Sequence, residues 1–172
     1  MKTFHVAIAF LLASFSAESA ISQTSNSKNV VSEARRNYTR IERNLKDYTR
    51  LETDFPDQSS EGGTFIVYFH KGAPRKIVAH FYGEMGNFQT DYYFCGGRLF
   101  YVLETRIRYD KPLGKEESCT QNRFYFTNGR LTRWLDNKGT TRNHLEKTFK
   151  AYQTKKLHDA RQYVTKANKL LD

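Results

Sequence analysis

Cysteine is scarce in this 172-residue chain. There are two, Cys95 and Cys119, alongside three prolines and a single tryptophan, Trp134. Two cysteines cannot close a zinc site by themselves, and no pair of histidines has the spacing of a helical zinc motif. No nucleophile elbow and no glycine-rich phosphate loop occurs either. The sequence thus offers no catalytic set, no metal ligands and no cofactor motif, and a non-enzymatic role is favoured. Long hydrophobic runs are missing as well. The one sustained apolar stretch, residues 6–15, has about ten residues, half of what a membrane span needs. Negative charge is also in deficit: 18 Asp and Glu stand against 28 Lys and Arg, a net charge of +10.

What is present begins with that apolar stretch. Lys2 precedes it and small residues follow, the layout of a signal peptide over residues 1–22, with cleavage after Ser19 or Ser22. No cysteine follows the run, so a bacterial lipoprotein signal is absent. Residues 23–172 have the size of one domain. The expected product is exported and soluble in the periplasm or outside the cell, with no transmembrane span. An oxidising compartment favours a Cys95–Cys119 disulfide. A basic mature chain fits anionic partners: an anionic glycan or other envelope polymer, or a protein partner, ahead of nucleic acid.

Residues 22–29 are small and polar, and a flexible leader is expected there. A helix is predicted over residues 30–53, with Val31, Ala34, Tyr38, Ile41, Leu45 and Tyr48 spaced three and four apart. This stripe is also a short heptad seam, so the chain is expected as a monomer or a homodimer joined by that helix. A second helix is predicted from about His144 to the end. Its apolar stripe runs through Leu145, Phe149, Tyr152, Leu157, Ala160, Val164, Ala167 and Leu171, and lysines fill the other side.

Between the helices the period changes to two. "DYYFCGGRLFYVLE" and "RFYFTNGRLTRWLD" share one pattern, with Gly96-Gly97 and Asn128-Gly129 at the same place. Such pairs supply the positive φ angles of a two-residue hairpin turn, so the phrase is written twice because one hairpin is made twice. "VYFHKGAPRKIVA" reads as a looser copy with a longer turn. The expected fold is α+β: an antiparallel meander of about six strands in three hairpins, flanked by an N-terminal and a C-terminal helix that pack together on one face.

Direct pairing across each turn assigns the faces. Phe94, Leu99, Leu103, Phe124, Phe126, Leu131 and Leu135 fall on one, a core face. The other mixes aromatic and arginine residues: Phe100, Arg106 and Arg108 with the candidate binding residues Tyr93, Arg98, Arg123, Tyr125, Arg130 and Trp134. Rings stack on sugars, and guanidinium groups grip carboxylate, sulfate or phosphate in pairs of hydrogen bonds. A hydrolytic alternative rests on His80 and Glu84, four residues apart at a strand end.

The "YYFCGGRLFYVLE" and "FYFTNGRLTRWLD" phrases resemble hairpin repeats of uncharacterised bacterial exported proteins. They are also similar to MORN-like repeats, whose units read "YY-x-NG-K-L". The resemblance spans residues 91–136 and implies antiparallel hairpins and an envelope address. It carries no catalytic residue. The loop with Pro112 between the copies and the flanking helices depart from the MORN-like pattern.

Overall fold

Three dipeptides reverse the chain in the same way. Lys71-Gly72, Gly96-Gly97 and Asn128-Gly129 have φ values of 53° and 73°, 56° and 73°, and 50° and 74°. Positive φ at both positions is the geometry of the tight turn that matches strand twist. The first hairpin therefore has the same two-residue turn as the others, not a longer one. Lys71 adopts the left-handed region without the local hydrogen bonding that favours asparagine there.

The computed structural model describes residues 17–55, 59 and 61–171. The apolar run 6–15 lies outside the described residues. The elements in order are α1 (Ala17–Arg43), β1 (Thr49–Asp54), β2 (Gly63–His70), β3 (Ala73–Gly83), β4 (Gly86–Cys95), β5 (Arg98–Tyr109), β6 (Glu116–Thr127), β7 (Arg130–Leu135) and α2 (Lys147–Asn168). All seven strands form one sheet in chain order, each antiparallel to the next. The α+β meander with a helix at each end is as expected, with one strand more.

That extra strand comes from the end of the predicted first helix. α1 stops at Arg43, where the Asn44 side chain donates to the Arg40 carbonyl. A short 3-10 turn follows, Leu45–Asp47, and Tyr48 is already extended. Thr49–Asp54 then pairs along β2, with Leu51 packed on the core. The competing interaction is the open backbone edge of β2, which a strand satisfies and a helix does not. At the other end, residues 22–29 are helical and continuous with α1 rather than a loose leader.

Each hairpin also carries one extra residue at the same place. Tyr68 pairs with Lys76 but Phe69 with Pro74, which leaves Arg75 over. In the same way Phe100 and Thr132 fall out of the ladder beside Tyr93/Phe94 and Tyr125/Phe126. A bulge of one residue moves every later side chain of that strand to the opposite face. The direct pairing assumed from sequence holds only up to the bulge. Beyond it Tyr93 faces Tyr101, Tyr125 faces Arg133 and Phe124 faces Trp134.

The sheet consequently has two buried faces. One carries Phe65, Val67, Ile77, Tyr92, Val102, Phe124 and Trp134 beneath Phe149, Ala160 and Ala167 of α2. The other carries Tyr93, Tyr101 and Tyr125 beneath Ala34 and Ile41 of α1, with Leu103 and Leu135 alongside. The helices therefore lie on opposite faces, not together on one. The heptad stripe Val31, Ala34, Tyr38, Ile41, Leu45 and Tyr48 is consumed in packing on the chain's own sheet.

Each helix is also fastened by a buried lysine. Lys76 Nζ on β3 sits 2.9 Å from Glu42 of α1 and 3.2 Å from Asp91 of β4. Lys156 of α2 pairs with Glu104 of β5. Cys95 and Cys119 are both free. Their partners on β5 are Arg98 and Ile107, nine residues apart and so separated by roughly 30 Å along the strand. A disulfide needs Cα atoms within about 7 Å, so the expected bridge does not form. Among the described residues no helix is long and apolar enough to cross a membrane.

Two substitutions test this packing. Trp134→Ala is expected to cost about 3–5 kcal/mol in urea unfolding, the range for a large aromatic removed from a core. A loss below about 1 kcal/mol would mean Trp134 lies on an open face. Lys71→Asn is expected to raise stability by up to about 1 kcal/mol, because asparagine tolerates the left-handed turn position better.

Candidate functional site

The six residues expected to form one binding face do not share one. Tyr93 and Tyr125 are buried under α1. The Tyr93 hydroxyl donates to Glu42 at 2.8 Å, and the Tyr38 ring meets Tyr93 edge-on at 5.2 Å. Arg123 is half-buried on that same face, opposite Leu135. Trp134 is on the other side of the sheet. It packs against Phe124 and Tyr152, and its indole nitrogen donates to Asn122 Oδ1 at 3.0 Å. Arg98 and Arg130 stand exposed at two hairpin tips, directly after the turns. The arginine-aromatic pattern is real in sequence, but the bulges and the two helices divide it.

His80 and Glu84 are likewise not brought together. His80 lies within β3 opposite Gln89, its ring 4.4 Å from that of Tyr82. Glu84 is in the following turn, where its carbonyl accepts from the Leu113 N–H at 2.7 Å. Four extended residues place their Cα atoms about 13 Å apart. Among the described residues no group of three or more His, Cys, Asp or Glu could hold a metal.

The sheet does open a cleft elsewhere, where the far ends of β3, β4 and β5 pass beyond the cover of α2. Its volume is ≈ 760 Å³. Phe81 and Phe88 form one wall, neighbours on paired strands with rings 6.2 Å apart and nearly parallel. Arg106, opposite Phe88 on β5, lays its guanidinium 5.0 Å from the centre of the Phe88 ring. Arg108 follows one alternation later on the same face and is mostly exposed, 3.2 Å from Glu117. α2 supplies Lys155, Lys156, Asp159 and Tyr163 to the opposite wall.

The charges in the cleft differ in how far they are engaged. Lys156 is committed to Glu104, and Lys155 to Asp159 at 2.9 Å. Asp159 also accepts from the Tyr92 hydroxyl at 3.3 Å. Arg106 has no carboxylate within ion-pair distance among the described residues, and its planar group is held against an apolar ring. A guanidinium in this setting keeps its outer N–H groups for an incoming anion, while the ring fixes its plane. Burial, reinforced by Asp159, pushes the Tyr163 hydroxyl up to about 12. Tyr163 therefore enters the cleft as a neutral phenol.

Sequence reasoning recognised Arg106 and Arg108 within the arginine-aromatic pattern and the lysines along α2. It missed Phe81 and Phe88 as their partners. The signal was available in the alternation on either side of the Gly83–Gly86 turn, but the placing of α2 was not. No protein-family model, curated protein or solved structure matches this chain.

The tyrosine interior sets a pH limit. Burial raises Tyr92, Tyr93 and Tyr101 above the ordinary 10.0, and the carboxylates of Asp159 and Asp91 add to this at Tyr92 and Tyr93. For Lys76 burial pulls the other way, but Asp91 and Glu42 outweigh it and the net shift is also upward. All these groups hold their protons more tightly folded than unfolded. Their stabilisation is therefore complete below the unfolded values and is lost as pH rises through the folded ones. The urea midpoint is expected to fall steadily from about pH 10 upward, with tyrosine ionisation and loss of near-ultraviolet dichroism coinciding. Tyrosines that ionise while the fold persists would contradict their burial.

Proposed function

We propose that this protein is an exported, non-enzymatic binding protein that holds an anionic envelope polymer, an acidic glycan in the first place, in the cleft beside α2. The observation that carries this reading is Arg106, a cation without a carboxylate partner among the described residues, seated on Phe88 at the mouth of a cleft with aromatic walls. Rings suit the apolar faces of sugars, and the guanidinium suits the carboxylate or sulfate group they carry. Asp159 lines the same cleft and adds a carboxylate acceptor for sugar hydroxyls. The net charge of +10 raises the local concentration of any polyanion. Export is supported by Lys2 and the apolar run 6–15.

The test is calorimetric titration of the purified chain with heparin, as a sulfated glycan probe, at low and physiological salt. Arg106→Ala is expected to weaken binding by about tenfold or more at physiological salt, the loss of a charge-assisted hydrogen bond pair. Arg130→Glu, at a hairpin tip, serves as the comparison and is expected to change affinity by less than about threefold. Equal affinity in wild type and Arg106→Ala, or binding at low salt only, would overturn the cleft as the site.

A further inference from the structure

The outer surface of α1 carries a second set of unneutralised cations. Arg35, Arg36, Arg40 and Arg43 are all exposed and surround a shallow groove of ≈ 520 Å³. Their only polar partners among the described residues are neutral: Arg36 donates to Ser32 Oγ, and Arg40 to Asn37 Oδ1 and the Cys95 sulfur. The nearby carboxylate of Glu42 is turned to Lys76 and is not available to them. At 100° per residue, Arg36, Arg40 and Arg43 fall on one side of the helix, opposite Ala34 and Ile41, which are buried on the sheet. Adjacent members of this stripe rise about 4.5–6 Å along the helix, so their charges form a continuous line.

This groove and the α2 cleft face in opposite directions, because the helices cover opposite faces of the sheet. Arg40 meets Cys95 while Arg106 stands opposite Phe88, seven residues away on β4, so the two sets of cations are separated by roughly 23 Å along the strand as well as by the thickness of the sheet. The screening length at physiological ionic strength is about 8 Å. An anionic chain on one surface therefore neither repels nor neutralises one on the other.

We infer that the arginine groove of α1 is a second polyanion-binding surface, so that a single molecule bridges two acidic glycan chains. This rests on the glycan reading of the cleft and adds a cross-linking role to it. Arginine is suited to the task because each guanidinium can pair with a sulfate or carboxylate through two parallel hydrogen bonds.

The experiment captures the full-length mature protein on immobilised heparin and then flows fluorescent heparin over it at physiological salt. Wild type is expected to retain the second chain. The triple variant Arg36→Glu/Arg40→Glu/Arg43→Glu is expected to be captured through the cleft but to retain at least about tenfold less of it. The neutral variant Arg36→Gln/Arg40→Gln/Arg43→Gln, with dichroism matching wild type, is expected to behave in the same way, which separates lost binding from added repulsion or misfolding. Capture without retention by wild type, with the triple variants captured equally well, would overturn the bridging role and leave the cleft intact. Retention by both triple variants would overturn the α1 surface, including the case of a dimer that bridges through two clefts. Failure of wild type to be captured at all would remove the glycan reading on which the inference stands.

Discussion

A wide antiparallel sheet with aromatic residues on both sides has to be covered on both sides. That constraint organises this molecule. The row Leu51, Val67, Ile77, Tyr92, Val102, Phe124 and Trp134 crosses all seven strands on one face. The next row, Arg50, Tyr68, Lys76, Tyr93, Tyr101, Tyr125 and Arg133, crosses them on the other. Neither set of rings can be left to water at about 25 cal/mol per Å² of apolar surface. One helix per face is the solution, and the meander order leaves a helix at each end of the chain free to take it.

Apolar burial alone does not fix where a helix sits along a face. The two buried lysines supply that information. Lys156 is satisfied only where it meets Glu104, and Lys76, already beside Asp91, gains its second carboxylate only where α1 brings Glu42 within reach. Such pairs add little net stability, because desolvation offsets most of the attraction, but loss of one partner costs about 3–5 kcal/mol. α2 displaced by one turn would leave Lys156 and Glu104 buried without each other, and α1 displaced likewise would leave Lys76 with Asp91 alone. The outer helix surfaces are left to carry the basic excess.

The functional geometry follows from the same arrangement. α2 covers the central row and reaches Glu104 through Lys156, but the strand ends with Phe81, Phe88, Arg106 and Arg108 extend past it. The cleft is the gap between a helix of fixed position and strands longer than the helix can cover. β5 and β6 have 12 residues each. Their length comes from an alternation that continues beyond the apolar core into arginine, threonine and serine.

The sequence by itself determined the hairpins, the strand count to within one and the two helices, because turn chemistry and hydrophobic period act over a few residues. Gly96-Gly97 and Asn128-Gly129 can be read without any neighbour. Tertiary structure decided the rest. The bulges at Phe100 and Thr132 moved Trp134 to the α2 face and Leu103 to the α1 face, and no local signal marks a bulge whose extra residue is an ordinary one. Thr49–Asp54 became a strand because β2 had an open edge. The opposed helices, and with them the separation of Tyr93 and Tyr125 from Arg106 and Phe88, depend on burying two faces at once. That is a property of the assembled sheet, and no single stretch of the chain contains it.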